Sequence, residues 1–137
     1  GSLLFGKFAA SDADLRGYGV KLGSSSSVYG FASLDNSSSL TQAPVSLSQG
    51  NYVTVVLRIE PVLSKVQLWV DSATLSSTSG ITSPWPSLEN SHFFTIGGSR
   101  STSGVSANAS IELSSLAVFD RSLTQEEINR AASEISR

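Results

Sequence analysis

Few residues in this chain can do covalent chemistry. His92 is the single histidine and cysteine is absent, so a thiolate nucleophile, a disulfide framework and a histidine cluster for a transition metal are all excluded. A Ser/His/Asp triad would have to run through His92. That residue stands directly before the apolar run Phe93–Ile96, where a structural hydrogen-bonding role is the expectation. The carboxylates are scattered: Glu60, Glu89 and Glu112 are isolated, and Glu126-Glu127 sit at a helix start. Glycoside hydrolysis needs two carboxyl groups flanking one bond at a fixed separation, and no such pair is visible. The reading is of a protein that is not an enzyme.

Binding has more material. Trp69 alternates away from Val66, Leu68 and Val70, which places it on the outer face of its strand. An indole there can stack on the apolar face of a sugar ring, with about 0.5–1.5 kcal/mol beyond area burial; the competing expectation is that a loop or the terminal helix covers it. Arg58 and Gln67 fall on outward positions of the same pair of strands and join it as candidate ligand-binding residues. Trp85, between Pro84 and Pro86, lies in a stiff loop; it either presents an aromatic at low entropic cost or plugs the end of the core. Asp12 and Asp14 could donate two carboxylates to calcium, but the EF-hand continuation and its turn glycine are missing. Solvated loop acids are the alternative. Asn36 and Asn108 each open an N-glycosylation sequon.

The elements that must position these residues read as β almost throughout. Leu3–Phe8 is a short apolar run, Tyr18–Leu22 alternates with period two, and Val28–Phe31 follows across Ser24–Ser27. From Tyr52 to Glu60, Val53, Val55, Leu57 and Ile59 face one way while Thr54, Val56, Arg58 and Glu60 face the other. Pro61 lacks a ladder donor and ends that strand. Val66–Asp71 alternates again, Phe93–Ile96 is closed by Gly97-Gly98, and Ile111–Phe119 completes the series with a bulge expected near Ser114-Ser115. Seven strands separated by Gly/Ser/Pro turns predict an all-β fold, an antiparallel sandwich or barrel. One helix closes the chain: Thr124–Glu127 has the form of a capping box, and Ile128, Ala131, Ala132 and Ile135 share one stripe that packs on the sheets.

Composition sets the frame. The 137 residues suffice for one domain and not two; Gly1-Ser2 reads as a cloning scar, and residues 3–137 as a single domain cut from a longer protein. A net charge of -2 leaves no basic excess for nucleic acid. No run of 18 apolar residues spans a membrane, and no secretory signal stands at the start. Charged residues are only 15%, whereas serine makes up roughly a fifth of the chain. That balance is commoner in extracellular or cell-surface β-domains.

The order of motifs in the second half resembles the laminin-G-like branch of the concanavalin A-like lectin/glucanase superfamily. The matching residues are Lys65-Val66-Gln67-Leu68-Trp69-Val70-Asp71, Phe93-Phe94-Thr95-Ile96-Gly97-Gly98, and Leu116-Ala117-Val118-Phe119-Asp120-Arg121 running into Leu123-Thr124-Gln125-Glu126-Glu127-Ile128. Within that branch the chain is most similar to the C-terminal lectin-like domain of trypanosomal sialidases and trans-sialidases, on Ser91-His92-Phe93 and Leu3-Leu4. The likeness is good from Asn51 to Ile128 and weaker from Leu3 to Leu47. It implies a jelly-roll sandwich with one short C-terminal helix. The implied function is a non-catalytic recognition module of a larger extracellular or surface protein, binding glycan or protein, with calcium in some members. The alternative is a structural accessory domain packed beside a catalytic or adhesive neighbour in the same polypeptide. Two departures stand out: Ser72-Ala73 replaces the turn glycine after the Asp, and strands that precede Leu3–Phe5 in the family are missing. The second departure implies an unpaired edge.

Overall fold

The computed structural model describes residues 2–8, 15–24, 26–34, 39–41, 45–47, 50–71, 73–74, 85, 87–101, 104–106 and 110–135. Among these residues eleven strands and one α-helix follow in chain order: β1 (Leu3–Lys7), β2 (Gly17–Leu22), β3 (Ser27–Ser33), β4 (Ser39–Thr41), β5 (Val45–Ser46), β6 (Val55–Glu60), β7 (Lys65–Val70), β8 (Ala73–Thr74), β9 (Phe94–Ile96), β10 (Ser99–Ser101), β11 (Gly104–Ser106) and α1 (Gln125–Ile135). The fold is thus mostly antiparallel sheet with one C-terminal helix. The largest sheet runs β4-β3-β2-β1-β9, with β5 also on β3; β6-β7-β8 form a three-stranded sheet and β10-β11 a hairpin.

Period-two alternation decides what each strand buries. On β7, Val66 packs with Ala32 of the large sheet and Leu34 just beyond β3, Leu68 packs with Val20 and Val28 of that sheet, and Val55, Leu57 and Ile59 of β6 pack on the same clusters. Burying each such aliphatic side chain is worth about 1.5–3 kcal/mol. The intervening residues point the other way: Val56 packs on Trp69, Leu123 and Ile128 beneath α1. Pro61 does end β6. The chain turns through a short 3-10 stretch, Pro61–Leu63, with Ser64 in the left-handed conformation at φ 52°. Ser64 then leads into β7, paired with β6 from Glu60↔Lys65 to Val55↔Val70.

On the other face of the large sheet, Leu3, Phe8 and Phe31 form a separate cluster. The Lys21 ammonium lies 4.5 Å from the centroid of Phe8 and 4.3 Å from that of Phe31, a cation–π arrangement. Burial pulls its pKa below the ordinary lysine value. Beside it β1 and β2 approach closely because Gly6 and Gly19 stand opposite each other. At Gly6 (φ +152°) a Cβ would come within 2.3 Å of the Tyr18 carbonyl oxygen, so no side chain fits.

The start of α1 has the geometry expected of its sequence. The Glu127 amide donates to Thr124 Oγ1 at 3.2 Å, and the Thr124 amide donates to Glu127 Oε2 at 2.9 Å. Thr124→Ala should therefore cost about 1 kcal/mol in denaturant unfolding, with loss confined to the helix start. The Arg121 guanidinium grips the same carboxylate from outside, at 2.8 and 3.0 Å. Arg121 first, and then the Thr124 amide, hold the Glu127 pKa down at about 2, from an ordinary 4.5. A depressed carboxylate pKa supplies stability that is complete above the unfolded value and lost as pH falls through the folded one. Helix content should accordingly drop between pH 4.5 and about 2. An acid titration of circular dichroism checks this against Glu127→Gln, which should flatten that drop; an unchanged profile refutes the assignment.

One expected strand is not formed. Residues 111–119 carry no strand assignment and are exposed throughout, so the bulge near Ser114-Ser115 has no ladder to interrupt. Alternation makes a strand only where a neighbouring ladder accepts its N–H and C=O groups. Here the segment is tied at its ends instead. The Tyr52 hydroxyl donates to Glu112 Oε1, and Ser122 Oγ donates to the Ile59 carbonyl at 3.4 Å.

Candidate functional site

The outward positions of β6 and β7 bring together three of the four ligand-binding candidates. Arg58 Nε donates to Gln67 Oε1 at 2.8 Å and its NH2 reaches the same oxygen. NH1 donates to the Leu123 carbonyl at 2.7 Å, the Glu60 carboxylate lies 3.6 Å from Nε, and the guanidinium carbon is 4.8 Å from the centroid of Trp69. Trp69 is 1% exposed, and its Nε1–H donates to Gln125 Oε1 of α1 at 2.5 Å. The terminal helix therefore lies over this cluster. Arg58, Gln67 and Trp69 are spent on holding α1 and the 121–124 turn to the sheet, leaving no indole face open to a sugar ring.

Trp85 is likewise inside. It is 8% exposed and packs with Ala32, Leu34 and Val66, while its Nε1–H donates to Ser64 Oγ at 2.8 Å. Of the two roles its loop allows, the structure places it as a plug. His92 is buried at 9%, with its amide donating to Asn90 Oδ1 at 3.0 Å. The Asn90 side-chain amide in turn donates to the Arg16 carbonyl at 3.0 Å. Asp12, Asp14, Asn36 and Asn108 lie outside the described residues. Among the described residues no three His, Asp or Glu side chains gather at one point, and no helix is long and apolar enough to cross a membrane.

Among the described residues, a groove of about 530 Å³ opens beside β6. Leu57 and Ile59 of β6 with Phe5 and Phe94 of the large sheet contribute to its lining, as do residues 115–123 and Ile128 and Ile135 of α1. Its outer lip is apolar: Leu116, Val118 and Phe119 are 44–69% exposed, and Ile111 and Leu113, upstream in the same segment, are 38% and 50% exposed. Soluble chains rarely leave a contiguous apolar strip of this kind uncovered without a use for it. Reasoning from sequence assigned these residues to a buried strand and so missed the groove. The signal was nevertheless present, as an apolar segment with a single charged residue, Glu112, between Ile111 and Phe119. Tyr52 and Gln125, which tie the segment and the helix, carried no such signal. Comparison with protein-family models, curated proteins and solved structures gives no match, so the functional reading rests on the geometry of these residues.

Proposed function

We propose that the chain is a non-catalytic recognition module of a larger extracellular or surface protein, and that what it recognises is polypeptide. The observation that carries this reading is the apolar groove beside β6 with its exposed lip of Leu116, Val118 and Phe119. An aliphatic groove along a strand edge suits an extended peptide, which gains main-chain hydrogen bonds from the edge and side-chain burial from the walls. A sugar site would instead call for an accessible aromatic face and converging polar groups, and both tryptophans are covered. The finer fold assignment, a jelly-roll sandwich of the laminin-G-like kind, belongs to the same proposal. Its support is the packing of Val20 and Val28 of one sheet against Leu68 of the other.

Two arrays run in parallel test the reading: immobilised nine-residue peptides with alternating aliphatic side chains, and a glycan array probed with calcium and again with a chelator. Peptide binding that Val118→Lys abolishes, with silence on the glycans, is the expected result. Glycan binding, or silence on both arrays from a folded monomeric sample, overturns it.

A further inference from the structure

The partner of this groove can be taken a step further, on the premise that the groove recognises polypeptide. β6 is an edge strand of its sheet, paired only with β7 among the described residues. Its free edge is the kind of surface that accepts an additional strand. Residues 112–122 pass this edge without strand pairing among the described residues, and 115–122 of them line the groove. Their direction is fixed at both ends: Tyr52 holds Glu112 at the start of β6, while Ile59 and Arg58 hold Ser122 and Leu123 at its end. The segment therefore runs parallel to β6. It spends more residues than β6 on the same stretch and bows away, leaving the groove between.

A strand entering that groove antiparallel to β6 is antiparallel to residues 112–119 as well. It would turn an open edge into a regular antiparallel ladder. The chain itself carries a segment of matching character, Ile111–Phe119, with apolar side chains exposed and no strand pairing among the described residues. We infer that the occupant is the same segment of a second copy, giving an isologous dimer in which residues 111–119 of each protomer lie between β6 and residues 111–119 of the other.

The symmetry closes. Across the twofold axis the order is β6, the partner's segment, the protomer's own segment, then the partner's β6. Both copies of the segment fill identical positions, as a twofold interface requires. Because each segment runs parallel to its own β6, the twofold makes every neighbouring pair antiparallel. One continuous sheet results, β8-β7-β6 of one protomer joined through the two segments to β6-β7-β8 of its partner. Val118 and Leu116 then lie inside the interface.

Sedimentation velocity over a concentration series of the whole chain tests the inference, with amide hydrogen exchange read on β6. A concentration-dependent dimer is expected, in which the amides of β6 that point away from β7 gain protection. Leu116→Lys and Val118→Lys are exposed in the single protomer and should leave its circular dichroism unchanged. Each should weaken dimerisation about tenfold or more, by forcing an unpaired charge into an apolar contact. A monomer at every concentration, a dimer that survives both substitutions, or a dimer in which the outward amides of β6 exchange as fast as in the monomer overturns the inference. If the chain is a monomer yet binds immobilised peptides, only the choice of a second copy falls. If it is a monomer and the peptides are also silent, the recognition reading falls with it.

Discussion

Trp69→Ala is expected to cost about 3–5 kcal/mol of folding stability, the range for removing a buried aromatic, and to release α1 from the sheet. The indole is the floor on which Leu123 and Ile128 sit. Its removal also strips Arg58 of the ring beneath its guanidinium and Gln125 of its hydrogen-bond donor. Trp69→Phe separates these contributions. It keeps much of the packing and loses the Nε1–H, so it should fall well short of the alanine loss. Urea unfolding followed by circular dichroism measures both. A Trp69→Ala variant within about 1 kcal/mol of the parent would place the indole outside the core, against the burial described above.

Leu68→Ala should have the second large effect, about 2–5 kcal/mol, because Leu68 is fully buried where Val20 and Val28 of the large sheet come down onto β7. The informative experiment is the double-mutant cycle with Val28→Ala. Residues that share one cavity couple by about 0.5–3 kcal/mol, whereas distant ones add. Coupling across the cycle is expected here, since the two side chains belong to different sheets of one core. Strict additivity with a small single-site loss would mean that the sheets do not bury each other, and the sandwich reading would go with it.

The same residues show how far sequence reasoning reached. In β6 and β7 the alternation named the inward and outward faces side chain by side chain, because a period of two is a direct consequence of strand geometry. The capping box at Thr124 and Glu127 was equally legible, being a local contact across three residues. Pro61 ended its strand for the reason its missing N–H supplies. The failures share a different origin. Whether Trp69 is open depends on α1 returning some fifty residues later and laying Gln125 against the indole, a long-range contact with no local signature. Residues 111–119 were read as a paired strand from their pattern, but pairing depends on a free ladder at the right distance. Two polar ties, Tyr52 to Glu112 and Ser122 to Ile59, fix the ends of this segment, and between them no strand pairs with it among the described residues. Arg58 and Gln67 were identified as a polar pair on one face, yet the sequence could not tell a ligand's contacts from those of the protein's own helix.

The placement of the two tryptophans makes the chain its own pair of optical reporters. Trp69 lies between the three-stranded sheet and the terminal helix, while Trp85 sits in the cluster formed by Ala32, Leu34 and Val66. A variant that keeps only the first emits from the helix junction, and one that keeps only the second emits from between the sheets. Intrinsic fluorescence of the two single-tryptophan proteins, made by Trp85→Phe and Trp69→Phe and each read against its own circular-dichroism curve, thus follows two different surfaces through the same denaturant series. Coincident curves would identify one cooperative unit. An earlier midpoint for the Trp69 signal would mean that the helix lifts off while the sheets still hold together, as a separate, less stable cooperative unit.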